Sequence, residues 1–327
     1  MYYTIRHLTK YQYSTMVSES IMQLFMQPRT ESAPYSSQRC FAFEVSLQPR
    51  ARVLPYRDYL GNTLHTFTIP AQHLALTIVT RAVVEVQPPP LLPEALSADA
   101  WALLDAATAN GDYWDALAQT ELTMPTPLLH ELAENIAAYR RDDPLTVLLE
   151  INKRLYESME YKAKSTRVDS PIDVALAQRS GVCQDFAQIM ISLLRGLRIP
   201  SRYVSGYMAH RRSDRSAEDA THAWVEAWLP DLGWVGFDPT NNSLADDHYI
   251  RVAIGRDYND VPPTRGVFKG GASSALSVAV QVTVVDNPNT IPELAMLPTD
   301  AVSYTTTASD PAIIEADRIQ QIQQMQQ

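Results

Sequence analysis

Gly181-Val182-Cys183-Gln184-Asp185-Phe186 opens a helix with one apolar stripe. Val182, Phe186, Ile189, Met190, Leu193, Leu194 and Leu197 recur at helical spacing, and Gly196 and Pro200 end the pattern. Ser180 is the expected N-cap. Cys183 then falls in the first turn, where unpaired backbone N–H groups and the positive end of the helix dipole favour an anion. It lies off the main stripe and is followed by two polar residues, Gln184 and Asp185, which argues against a passive core cysteine.

Three strand patterns follow, Ser201 to Met208, Ala220 to Leu229 and Gly233 to Phe237, and they read as a meander. Pro230-Asp231-Leu232-Gly233 is short enough to make the second and third strands antiparallel neighbours. Paired residues of an antiparallel ladder share a face, so a register with Leu229 opposite Gly233 sets His222 and Asp238 on the same side. Asp238 then pairs with Trp224 and lies diagonal to His222, within reach of a carboxylate to imidazole hydrogen bond. A register shifted by one residue separates them.

Thiol, imidazole and carboxylate in this arrangement have the chemistry of a nucleophile, its base and the group that orients the base. His222, with an ordinary pKa of about 6.5, could take the Cys183 proton and later give it to a leaving amine, while Asp238 fixes the tautomer. A tetrahedral intermediate also needs hydrogen-bond donors, and the Cys183 backbone N–H is the first of them. The Gln184 side chain is one candidate for a second. Trp224 shares the face of His222 and is either a wall of the acyl pocket or a core aromatic.

The rest of the chain frames this unit. Its 327 residues are 46% hydrophobic with a formal net charge of -10, and its isoelectric point is near 5.2. No Lys/Arg-rich run occurs, which excludes the electrostatic footprint of a nucleic-acid or anionic-membrane binder and leaves small molecules and proteins as partners, with a peptide or protein substrate expected from the thiol chemistry. Neither a signal-peptide core nor a membrane span can be drawn, and a cytoplasmic location is expected. Of the two cysteines, Cys40 belongs to a strand whose buried face is Phe41, Phe43, Val45 and Leu47, and both thiols are expected to be reduced.

The expected class is α+β. Residues 1–90 are period-two and rich in β-branched and aromatic side chains, an antiparallel β domain in which Asp58-Tyr59-Leu60-Gly61-Asn62 forms a hairpin tip. Residues 91–143 read as helical, divided at Asn110-Gly111-Asp112, Pro125-Thr126-Pro127 and Asp142-Asp143-Pro144, and the last of four short helices runs on to Met159. Residues 144–263 hold the thiol, imidazole and carboxylate on a helix packed against an antiparallel sheet. In 264–286 a strand from Leu276 to Val284 could return to the N-terminal sheet, and 287–327, Pro/Thr/Ser-rich and then Gln-rich, reads as a disordered tail without function.

Four segments carry a family resemblance: Gly181 to Ala187, Arg202-Tyr203-Val204-Ser205-Gly206-Tyr207, Ala220 to Glu226, and Gly233 to Asn241. They resemble the core of bacterial transglutaminase-like proteins, over about Leu145 to Pro263, and the β-rich start resembles the amino-terminal domain that accompanies this core. The resemblance implies a papain-like fold, a Cys183-His222-Asp238 triad and an acyl-thioester intermediate. Tyr161 to Ser170 resembles the loop that leads into the family's site, and because related enzymes carry an aromatic donor upstream of the thiol the resemblance makes Tyr161 the preferred second oxyanion donor over Gln184. No Asp-x-Asp-x-Asp-Gly loop is present, so calcium control is not implied, and neither a metal nor a cofactor is expected. Release of the acyl group by water, as an amidase or peptidase would do, is preferred to transfer to an amine, as in a transglutaminase. A peptide-binding module without chemistry would be signalled by loss of one of the three residues, and all are present.

Overall fold

The computed structural model describes residues 1–216 and 221–286, so the tail expected from residue 287 onward lies outside the described residues. Five strands come first: β1 (Tyr2–Leu24), β2 (Gln38–Gln48), β3 (Leu54–Arg57), β4 (Thr63–Ile69) and β5 (His73–Val86). Helices α1 (Ala100–Ala109), α2 (Trp114–Leu117), α3 (Pro127–Asn135) and α4 (Pro144–Ser158) follow, with a short 3-10 turn at Glu121–Thr123. The third and fourth begin where proline sits in the first turn and the preceding residue caps it, Thr126 and Asp143 accepting backbone N–H groups.

Next are β6 (Glu160–Tyr161), α5 (Ile172–Gln178), β7 (Ser180–Gly181), α6 (Cys183–Gly196), β8 (Ser201–Met208), β9 (His222–Leu229) and β10 (Gly233–Asp238). The described chain closes with β11 (Ser243–Leu244), β12 (Tyr249–Gly255), β13 (Thr264–Lys269) and β14 (Ser274–Val285). β1 is long enough to serve two layers. Its first half, Tyr2 to Gln12, runs between β5 and β14, and its second half, Ser20 to Leu24, pairs with β4 and also adjoins β13. The return of the late strand to the N-terminal sheet is therefore seen as an antiparallel ladder from Tyr2 opposite Val285 to Tyr13 opposite Ser274.

One side-chain pattern differs from its expectation. Phe41 is 37% exposed because the β2–β5 register shifts between Cys40 and Ala42, and the irregularity breaks the alternation there. Its ring carries the Arg39 guanidinium, 4.7 Å from the ring centroid, whereas Phe43, Val45 and Leu47 pack inward.

The second sheet has the order β11-β10-β9-β8-β12, so the meander of three is extended by an edge strand on each side. Along β9 the odd residues Ala223, Val225, Ala227 and Leu229 belong to the main core with Phe186, Ile189, Met190 and Leu194 of α6. The even residues His222, Trp224 and Glu226 face the other way and are buried as well. That side holds two anions, Asp238 and Glu226. Glu226 is fully buried between Arg202 and Arg251, and the Arg251 guanidinium also donates to the Tyr35 carbonyl of the β domain.

The Asp58 to Asn62 turn does more than reverse the chain. Asn62 is buried, its Nδ2–H donates to the Ile254 carbonyl at 2.8 Å, and its Oδ1 accepts the Ile254 N–H at 2.9 Å. One side chain thus pairs the free edge of β12 as a neighbouring strand would. Asn62→Ala strands two buried backbone groups, and urea denaturation is expected to show a loss of about 2–4 kcal/mol. Unchanged stability would show that solvent satisfies both groups.

Candidate active site

Cys183 is the first residue of α6 and only 7% exposed. Ser180 is not the cap, contrary to expectation, because it is drawn into the β6–β7 bridge opposite Glu160. The cap comes from inside the helix: the Asp185 carboxylate accepts the Val182 N–H at 2.8 Å and the Thr166 hydroxyl. Burial raises the Asp185 pKa to about 6 against the pull of these donors.

The β9–β10 hairpin has Leu229 opposite Gly233, then Trp228 opposite Trp234, down to Val225 opposite Phe237. The turn is held by Asp231, whose φ of 62° is in the left-handed region that Asp tolerates. One more step sets Asp238 opposite Trp224. His222 Nε2 and Asp238 Oδ2 are 2.7 Å apart, with side chains 1% and 0% exposed.

Three further donors fix the carboxylate. Asn241 Nδ2–H and the Tyr249 hydroxyl donate to Oδ2 at 2.7 and 2.9 Å, and the Thr240 N–H donates to Oδ1 at 2.9 Å. The Tyr249 hydroxyl is itself 2.6 Å from Ser243 Oγ. Burial alone would raise the Asp238 pKa, but the charge and hydrogen bond of His222, joined by Tyr249 and Asn241, hold it below the ordinary range. Burial likewise opposes a charged His222. Asp238 and, to a smaller extent, Cys183 outweigh it and raise the imidazole pKa to about 10. Nδ1, the nitrogen turned away from Asp238, has no hydrogen bond of good geometry, although the thiol is near enough to favour the charged ring.

Cys183 and His222 line one cavity of about 20 Å³ together with Tyr203, Ser205, Thr221 and Tyr258. The two sequence candidates for an oxyanion donor do not line it. Tyr161 pairs with Gly181 in the β6–β7 bridge and lines a separate cleft with Tyr156, Arg179 and Arg215. Gln184 is buried, and its Nε2–H donates to the Val168 carbonyl at 2.7 Å, pinning the loop before α5. Gln184 was a candidate as the thiol's neighbour in sequence, and Tyr161 by the family resemblance.

Trp224 is core rather than pocket. It is fully buried, nearly parallel to the His222 ring at 6.2 Å and edge-on to Tyr249 at 5.3 Å. A Cβ on Gly206 would sit 2.6 Å from its ring, so the indole needs that glycine beneath it. Sequence reasoning missed Tyr249, Asn241 and Tyr203. The Asp238-Pro239-Thr240-Asn241 run hinted at Asn241, since an amide three residues past a strand end can fold back. Both cysteines are free thiols, and burial pushes the Cys40 thiol up to about 11. Among the described residues no helix is long and apolar enough to cross a membrane. Asp246, Asp247 and His248 are the group of potential metal ligands found there, and Arg211 already bonds Asp246 and His248.

A thiol at a helix N-terminus beside an imidazole and carboxylate on an antiparallel sheet defines a papain-like architecture, and known proteins share it. The transglutaminase-like superfamily core matches residues 131–239, and the bacterial transglutaminase-like N-terminal region matches residues 3–85. An uncharacterized protein of Mycobacterium tuberculosis is 35% identical over 295 residues, which take in 86% of this chain and 92% of that one. A protein-glutamine gamma-glutamyltransferase of Pseudomonas aeruginosa is 30% identical over 121 residues, 35% of this chain and 18% of that protein. The crystal structure of a Cytophaga hutchinsonii protein, provisionally assigned as a cysteine protease, has a TM-score of 0.66 at 21% identity and covers 88% of this chain and 92% of that one. The chain belongs to the bacterial transglutaminase-like family, and its fold is α+β with the transglutaminase-like core.

Asp238→Asn removes the charge that holds His222 protonated and leaves burial to act with little opposition. The imidazole pKa is expected to fall from about 10 to below its ordinary value of about 6.5, as followed by NMR titration of the ring. The raised pKa carries a sign for stability: its contribution is fully present below about pH 6.5 and drains away as pH rises through about 10. Denaturation midpoints should therefore drop more steeply on the alkaline side for the wild type than for Asp238→Asn, and parallel curves would refute the assignment.

Proposed function

We propose that this protein is a thiol acyl-enzyme catalyst that opens an amide, peptide or isopeptide bond and releases the acyl group to water. Cys183 is the nucleophile, His222 the proton carrier and Asp238 the group that orients and charges it. The thiol proton passes to His222 Nδ1, the sulfur adds to the carbonyl carbon, and the imidazolium returns the proton to the leaving amine as the C–N bond breaks. Water then adds to the thioester carbonyl, His222 takes its proton, and the C–S bond breaks to give the acid and the free thiol.

The observation that carries this reading is the 2.7 Å contact from His222 Nε2 to a buried Asp238 carboxylate, which leaves Nδ1 toward the cavity shared with Cys183. Acyl transfer to an amine is the second reading, supported by the sequence similarity to a protein-glutamine gamma-glutamyltransferase over 121 residues.

Incubation with glutamine- and asparagine-containing peptides plus a primary amine, followed by mass spectrometry, separates the two. A deamidated or cleaved product is expected, whereas an amine adduct would give the second reading. Cys183→Ala is expected to abolish either product, and His222→Ala to lower turnover by about 10²–10⁴-fold. Product that survives in Cys183→Ala would sink the proposal.

A further inference from the structure

We infer that Tyr203 is a catalytic residue that donates its phenolic O–H to the oxyanion formed when Cys183 adds to a substrate carbonyl. The inference rests on the acyl-enzyme reading and supplies the donor that neither Tyr161 nor Gln184 provides. Tyr203 lies on β8, on the face packed against α6, and its side chain lines the same small cavity as Cys183 and His222. It is 1% exposed, so its hydroxyl meets the thiol's cavity in a buried place where a hydrogen bond to an anion is strong.

The size of the cavity matches the task. About 20 Å³ holds one water-sized group, which suits a single carbonyl oxygen. One donor to that oxygen is already there by helix geometry, because the N–H of the first residue of α6 has no intrahelical partner. As the C–S bond forms, the π pair of the C=O bond moves onto oxygen. The Cys183 N–H and the Tyr203 O–H then hold the negative charge until the C=O bond re-forms and the C–N bond breaks.

Ser205 and Thr221 also bring hydroxyls to this cavity, and Ser205→Ala is the control that separates the serine from the phenol. Burial, reinforced by the charge of Cys183, raises the Tyr203 pKa well above its ordinary value. The ring therefore stays protonated beside the thiolate and serves as a donor only. Its edge-on contact with Tyr258, ring centroids 6.3 Å apart, survives loss of the hydroxyl.

The test compares two reactions of the same sulfur in the wild type, Tyr203→Phe and Ser205→Ala. Acylation by p-nitrophenyl acetate develops an oxyanion, while alkylation by iodoacetamide does not. In Tyr203→Phe, acylation is expected to fall about 10²–10³-fold, with alkylation and its pH profile unchanged and the melting temperature equal or higher. Equal acylation in Tyr203→Phe and wild type, an equal fall in both reactions, or a large loss in Ser205→Ala alone would each overturn the assignment. A wild-type thiol that alkylates readily but does not acylate would instead overturn the acyl-enzyme reading itself.

Discussion

The contact between Asp238 and His222 depends on the register of one hairpin, and much of the surrounding structure enforces that register. A slip of one residue would turn Asp238 toward α6, into an apolar layer of Ala223, Val225 and Phe186, where an unpaired carboxylate is costly. Trp224 acts as a key against such a slip. Its indole lies over Gly206 on one neighbouring strand and beside Gly236 on the other, where an added Cβ would sit 3.5 Å from Nε1 and 2.4 Å from Ala245 Cβ. Slipping either strand would bring Ser205 or Tyr207, or Val235 or Phe237, to these positions, and none fits.

The sheet face turned away from α6 is unusual in carrying two buried anions. Each is resolved differently. Asp238 is met by one titratable partner and by neutral donors from Asn241, Tyr249 and Thr240, so its charge is directed at His222. Glu226 is met by two arginines, an arrangement that is permanently charged and cannot titrate near neutrality. Arg251 continues outward to the Tyr35 carbonyl, while Gln38 bonds both the N–H and the carbonyl of Arg251. Together with Asn62 on Ile254, these contacts make the β domain the cover of the exposed edge strand β12. Tyr249, which steadies Asp238, lies on that strand, so the domain supports the site at one remove.

What was legible in the sequence was local in origin. The thiol's position at a helix start follows from apolar periodicity, and the register of His222 and Asp238 follows from the length of one turn. Tyr249, one partner of Asp238, was not legible because β12 is buried on both faces: Tyr249-Ile250-Arg251-Val252-Ala253-Ile254 shows no clean alternation to mark it as a strand. Phe41 was misread because a register irregularity leaves no trace in a period-two pattern. Gln184 was drawn toward the thiol by sequence distance and Tyr161 by the family resemblance, whereas Tyr203 joins the thiol's cavity through a strand pairing, Tyr203 opposite Val225, that no local signal announces.

The two sources of the raised His222 pKa behave differently through the proposed cycle. Asp238 is a fixed anion, but the influence of Cys183 lasts only while its sulfur can carry charge. Before acylation both favour the imidazolium, the form that can give a proton to a leaving amine. Once the thioester forms, the sulfur is neutral and that support disappears, while burial continues to oppose the charge. The same imidazole becomes easier to deprotonate when the next step asks it to accept a proton from water. Acylation thus changes the ring's acidity in the direction the second half-reaction needs, with no movement of the protein and with Asp238 in place throughout.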